Sequence, residues 1–491
     1  MRPIKTVVVL LGLGFVALAA VVLVRTVSFT SKQVAVPPVA GIAVDADLAA
    51  QRLAGAVRLR TVSCQDPAQF DAKPFLELHQ YLERTFPRVH AALQKEVLCE
   101  YSLLYCWRGS DPALKPVLLL AHQDVVPAPS EDEKCWEHPA FDGAIAEGYI
   151  WGRGTLDDKG SLMAILEAVE ALLRDGFQPK RTVYLAFGHD EEIGGSKGAQ
   201  RIADALRSRN VRIEYVLDEG SAIVRGVIPG VSNPVGVIGL AEKGYVSFEL
   251  VVESEGGHSS APPQQTAIGI VARALTRIED HPFPADLTQA ARFFTYVGPE
   301  MPFLERMVFA NLWLTAPLVK RIFSTNPVVN AGIRTTAAPT LIHAGVKENV
   351  LPSKATAVVN CRILPGETVA SVTERIRRTV RDDRVQIAAL NTPTDPSPIS
   401  DLNARSYQVL QTTIQQTVTE PGTILAPFLE LGGSDSRHFV AIADDIYRFS
   451  PEHLDAEDLK RMHGVNERIS RDDYARMITF YAQFIRNSNE P

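Results

Sequence analysis

Five short stretches of this 491-residue chain concentrate the side chains able to do acid–base or metal chemistry. They are "AHQDVVP" (121–127), "GRGTLDDKG" (152–160), "GHDEEIGG" (188–195), "LDEG" (217–220) and "RMHGVNERIS" (461–470). Singly each is ordinary: an acid after an apolar run is usually a turn residue, and a lone histidine such as His463 is more often surface or core than ligand. The run Asp190-Glu191-Glu192 is harder to dismiss. A solvated loop, with Ser196 capping the helix that follows, explains its polarity but not its crowding of like charge. A nearby cation would turn that repulsion into attraction. Pooled, the stretches offer His122 and His463 with carboxylates at Asp124, Asp157, Asp158, Glu191, Glu192 and Asp218, a nitrogen-and-oxygen set suited to Zn2+. Two such ions about 3.5–4 Å apart would be neutralised by clustered acids. Carboxylate-rich sites also accept Co2+ or Mn2+.

The elements around these residues have a recognisable rhythm. "PVLLLAHQD" (116–124), "TVYLAFGHDEE" (182–192) and "IEYVLDEG" (213–220) are continuous apolar runs ending in His or acids, as in strands buried on both faces. Between the first two, Leu162, Ile165, Leu166, Val169, Leu172 and Leu173 recur at helical spacing, and Gly176 stands where a C-cap belongs. Alternating strand and helix predict an α/β domain, with a mostly parallel central sheet and helices on both faces. Ligands bind at the carboxyl ends of such strands, where these acids fall.

From about Gly239 the pattern changes. "YVSFELVVES" alternates like a strand with one wet face, and helical "QTAIGIVARALTRIED", the strand "ATAVVNCRI", helical "VASVTERIRRTV" and the strand "RVQIAAL" follow. This predicts a smaller α+β domain at 239–391, inserted between catalytic parts at 45–238 and 392–491. The aromatic segment 291–323 interrupts it and reads as packed core of that domain, with a substrate-chain groove or membrane contact as the lesser alternative.

At the N-terminus, Thr6 to Val24 carries no charge, and about 20 apolar residues suffice to cross a bilayer as a helix. Signal peptides have shorter apolar cores of roughly 7–15 residues. Residues 6–24 therefore read as a single-pass signal anchor and 25–44 as a linker. The preferred orientation puts the body outside the cytoplasm, in a periplasmic, extracellular or lumenal space. The length is too great for one ordinary core. A net charge of −7 without any basic block argues against nucleic acid as a partner. Five cysteines lack C-x-x-C spacing, and one bridge in the Cys64 to Cys135 region stays open.

In this order and spacing the motifs resemble the dinuclear zinc peptidase family of carboxypeptidase S, aminoacylase, glutamate carboxypeptidase and succinyl-diaminopimelate desuccinylase. The branch of carboxypeptidase S and the N-acyl-amino-acid hydrolases is the most similar, and the resemblance runs from roughly Asp45 to the end. It implies two Zn2+ per subunit: His122 and Asp218 on one, Glu192 and His463 on the other, and Asp157 bridging both. Asp124 would orient His122, and Asp158 would support the turn. Glu191 would be the general base. His258 of "EGGHSSAPP" would donate to the oxyanion. Asn349 of "KENVLPS", Arg362 of "NCRILPG" and the loop Gly432, Gly433 and Ser434 would hold a substrate carboxylate. The inserted domain would be a ferredoxin-like lid and dimerisation domain, giving a homodimer. The implied reaction is hydrolysis of a peptide bond beside a free carboxylate, by a carboxypeptidase or dipeptidase. An N-acyl-amino-acid hydrolase shares the same machinery. A non-catalytic metal-binding scaffold would lack a ligand or Glu191, and none is missing.

Overall fold

The computed structural model describes residues 2–129, 133–417 and 420–490. Its centre is a sheet in which the strand Val117–His122 lies parallel to both Val183–Gly188 and Ile213–Asp218, and Ala443–Arg448 runs parallel to the latter. Side chains alternate across it. Val117, Leu119 and Ala121 face a cluster with the helices Lys159–Arg174 and Arg471–Ser488, while Leu118 and Leu120 face the helix Ala199–Ser208. Both faces are covered, which is why these strands are apolar at every position. The helix expected after "LDD" runs Lys159–Arg174, with Gly176 at φ +76° beyond it.

The sheet as a whole is mixed rather than mostly parallel. Ser102–Trp107 pairs antiparallel with Val183–Gly188 and with Gln94–Leu98 on one flank, and Ile223–Val224 pairs antiparallel with Val235–Glu242 on the other. Of these flanking strands, Gln94–Leu98 and Ile223–Val224 are short and carry half-exposed positions, so they lack the two-sided burial that parallel strands need.

A second, four-stranded antiparallel sheet has the order Thr336–Ala344, Lys354–Ile363, Gly244–Glu253, Gln386–Thr394. The helices Ala267–Asp280 and Val369–Val380 cover its apolar face, built from Val246, Phe248, Leu250 and Val252 with Ala355, Ala357, Val359 and Cys361. Strand, helix, strand, strand, helix, strand is the ferredoxin-like order. The switch between sheets falls between Glu242 and Gly244, a few residues beyond the expected Gly239.

The aromatic segment departs from expectation. Its helices Thr288–Val297, Phe303–Ala310 and Leu312–Phe323 contribute nothing to the core of the four-stranded sheet. Phe293, Phe294 and Phe309 pack instead on Val235, Val237, Ile424 and Ala426 of the large sheet, with Phe294 and Phe309 stacked at 3.7 Å. The reason lies in the strands Val235–Glu242 and Ile424–Glu430, which are apolar on the face away from the main helices and need this cover. The helix Arg2–Val27 includes Thr6–Val27, long and apolar enough to cross a bilayer and exposed over most of its length, with Thr26 buried at its end. All five cysteines are free, so the bridge left open by the sequence is absent.

Candidate metal centre

Three parallel strands end side by side, and their last residues include His122 and Asp218. Across this edge lies Asp157. Its Oδ1 is 2.9 Å from Nε2 of His122, and its Oδ2 is 2.9 Å from Nε2 of His463. The same His463 nitrogen is 3.2 Å from Glu192 Oε2. One donor atom from each of His122, Asp157 and Glu192 lies within 4.8 Å of the others. The second Glu192 oxygen is buried without a hydrogen-bond partner, as an oxygen meant for a cation would be. Hydrogen bonds to Asp157 and Glu192 push His463 up to about 10. Burial alone would lower His122, but Asp124 and Asp157 carry it well above the usual histidine range. Without a metal, protons therefore supply the positive charge that these carboxylates demand.

The supporting contacts explain the crowding of acids at 190–192. Asp190 accepts from the backbone of Lys197 and Gly198, both at 2.8 Å, and so holds the turn that leads into the helix Ala199–Ser208, whose N-cap is Gly198 rather than Ser196. The Asp124 carboxylate accepts from the amides of Glu191 and Glu192, both at 3.1 Å, while His122 Nδ1 donates to the backbone carbonyl of Asp124 at 2.9 Å, with the carboxylate 3.4 Å away. One buried residue thus aims the imidazole through its carbonyl and the two glutamates through its carboxylate. Asp158 accepts from the His122 amide at 3.3 Å, a support for the turn.

A second support went unread in the sequence, although both members lie in quoted stretches. Glu467 is fully buried, and its Oε1 accepts from the amides of Gly154 and Leu156, each at 2.9 Å, and of Asp157 at 3.2 Å. Its Oε2 takes a 2.6 Å bond from Arg153, whose other nitrogen donates to the carbonyls of His463 and Gly464. Arg153 and Glu467 therefore tie the Asp157 loop to the His463 loop. Asp435 was also missed. It is buried with both oxygens unpartnered, against Gly188 and Gly195, where a Cβ would fall 2.4 and 2.3 Å from those oxygens. Glu219, the neighbour of Asp218 in "LDEG", is pushed well above the carboxylate range by burial, with Asp157, Asp218, Asp158 and Glu191 around it.

Other expected residues lie outside the three-residue cluster. Asp218 is buried, with its oxygens accepting from the amides of Glu219 at 3.0 Å and Ser436 at 2.8 Å. Burial, with Asp435 and Glu192 adding to it against His122 and Arg437, raises Glu191 well above its usual range. His258 is exposed on the short ladder Gly257–His258 with Val350–Leu351. Its Nδ1 accepts from the Ser260 amide at 3.1 Å, which leaves the ring proton of the neutral form on Nε2. Asn349 accepts from Ser259 at 3.3 Å and so adjoins that ladder. Arg362 stacks on Tyr245 at 4.8 Å, and no acid among the described residues pairs with it. Gly432 and Gly433 are exposed. Ser434 differs from expectation: its amide and hydroxyl both donate to buried Glu242, at 2.8 and 2.6 Å, and Arg448 donates to the same oxygen. That network leaves Ser434 shaping the loop from below rather than presenting its amide to a ligand.

Residues 118–487 match the profile of peptidase family M20/M25/M40. The chain is a member of this peptidase family. It is 40% identical over 485 residues to the probable carboxypeptidase S-like 2 of Dictyostelium discoideum, covering 97% of this chain and 93% of that one. Identity is 41% over 444 residues to the N-fatty-acyl-amino acid synthase/hydrolase PM20D1 of Xenopus tropicalis, covering 89% and 85%. The fold matches the crystal structure of an M20 family metallo-carboxypeptidase from Sulfolobus solfataricus with a TM-score of 0.63 at 19% identity, over 90% of this chain and 99% of that one. The M20-family chain is thus a hydrolase of the metallopeptidase and amidohydrolase kind, and its family implies a divalent metal.

Proposed function

We propose that the enzyme is a dinuclear zinc amide hydrolase that cleaves the bond between an acyl or peptidyl carbonyl and an amino acid with a free carboxylate. The observation that carries this reading is Asp157, whose two oxygens address two different histidines at equal distance. Such a carboxylate suits a bridging role, with His122 and Asp218 on one side and Glu192 and His463 on the other. When bound, a metal pair acidifies water and polarises the scissile carbonyl. Glu191 then takes the proton of the attacking water and delivers it to the leaving amine. Bound cations would lower Glu191 from its raised value into the range of a working base. His258, with Nε2 as donor, would meet the oxyanion once the four-stranded unit closes over the site. Arg362 would grip the substrate carboxylate through its forked nitrogens.

The first choice of substrate is a peptide, in keeping with the carboxypeptidase S-like relatives. An N-acyl amino acid is the second, favoured by the names of the PM20D1 relatives and by the apolar helical segment beside the large sheet. The chain would be anchored by its N-terminal helix with the body outside the cytoplasm. The edge strand Thr336–Ala344, with Leu341 and Ile342 exposed, supports a homodimer. A substrate panel tests the reading: dipeptides, N-acetyl amino acids and long-chain N-acyl amino acids, each with a Glu191→Ala control. Metal-dependent turnover of one class, lost in the control, is expected. Turnover of none, despite bound metal, overturns the substrate assignment.

A further inference from the structure

The helix Leu312–Phe323 is apolar on two sides. Leu312, Ala316, Val319 and Phe323 pack inward with Leu287 and Ile333. The opposite stripe, Trp313, Leu314, Leu318 and Ile322, is 55, 46, 55 and 55% exposed. Phe303 and Leu304, which open the preceding helix, are exposed as well. A helix apolar all round belongs in a core or in lipid, and a soluble surface seldom carries so large a contiguous patch. No acid lies within Leu312–Phe323, while Lys320 and Arg321 stand in its last turn.

The location of the patch identifies its occupant. The end of the N-terminal helix is fastened to this pair of helices: Asn311 Nδ2 donates to Val22 O and Thr26 Oγ1, both at 3.2 Å, and Arg25 Nε donates to Ala310 O at 3.3 Å. Thr26 is fully buried in that contact. A membrane crossed by the helix must therefore end beside Trp313 and its neighbours. We propose that residues 303–323 form an interfacial platform that lies in the outer leaflet of the same bilayer and seats the enzyme body on lipid. Apolar side chains enter the headgroup boundary, and Arg25, Lys320 and Arg321 meet phosphates. This rests on the reading of the N-terminal helix as an anchor.

The test uses the full chain in phosphatidylcholine nanodiscs, one copy per disc, with and without acyl-brominated lipid. The Trp313 signal is the fluorescence difference between the wild type and Trp313→Phe. Brominated lipid should quench that difference several-fold more than aqueous iodide does. Leu314→Asp with Leu318→Asp should reverse the preference. A Trp313 signal open to iodide and indifferent to brominated lipid overturns the proposal. So does a signal shielded from both, which would mean cover by protein or by a bound acyl chain. Carbonate extraction from vesicles judges the anchor separately: release into the wash refutes the anchor, whatever the Trp313 signal shows.

Discussion

Replacing Glu467 by Gln would keep its shape and an acceptor for the amides of Gly154, Leu156 and Asp157, but would remove the charge that faces Arg153. Arg153 is 2% exposed and Glu467 0%, so the surviving guanidinium would be buried without its counter-ion. Breaking a buried pair from one side costs about 3–5 kcal/mol, whereas replacing both partners by neutral groups is far milder. Part of that cost should appear at the metal centre, because Arg153 holds the carbonyls of His463 and Gly464 while Glu467 holds the amide of Asp157. Loss of such an outer support typically weakens metal affinity about 10–100-fold. The assay is chelator competition on Glu467→Gln, Arg153→Met and the double variant. Each single change should weaken metal binding within that span, and the double should lose less than the sum of the two. Wild-type affinity in Glu467→Gln, or losses that add to within about 0.5 kcal/mol, would refute the link between the loops.

His463 is held protonated up to about 10 and must lose its proton before Nε2 can ligate. Metal binding at pH 7 should therefore release protons and strengthen as pH rises toward that value, which calorimetry in buffers of different ionisation enthalpy measures directly. Lys159, buried against the carbonyls of Ala56 and Leu59, is lowered by burial to about 7, against about 10.4 in an unfolded chain. Between those values the unfolded chain binds more protons, so the contribution of Lys159 to stability rises with pH. The urea midpoint of the wild type minus that of Lys159→Met should climb from pH 7 to 10, and a flat difference contradicts the burial argument. His258→Ala should reduce kcat by roughly 10²–10³-fold with metal content unchanged, the loss typical of one oxyanion donor.

Much of the centre was legible in the sequence because its supports are strands buried on both faces. Such strands write continuous apolar runs, and the residue at each carboxyl end is exposed to ligand by construction, as at His122 and Asp218. The helix Lys159–Arg174 was legible for the same reason, its wide apolar face repeating at 3.6 residues. The helical segment 288–323 was misplaced because composition reports that apolar residues need cover without saying which surface needs them. Its partners at Val235, Val237 and Ile424 are distant in the chain. Arg153 and Glu467, 314 residues apart, carry no local signal of pairing. Asp435 and Glu219 are buried acids, and burial of an acid is visible only once the fold brings other carboxylates around it.

The most direct test of the central claim is a zinc titration of the metal-stripped full chain, following bound metal and amide hydrolysis together, beside Glu191→Gln. Two zinc ions per chain are expected in both proteins, with turnover appearing as the pair fills in the wild type and absent from the variant. A single zinc at full activity, or a Glu191→Gln enzyme that turns over like the wild type, would contradict the bridging role of Asp157 or the proton-transfer role of Glu191 respectively.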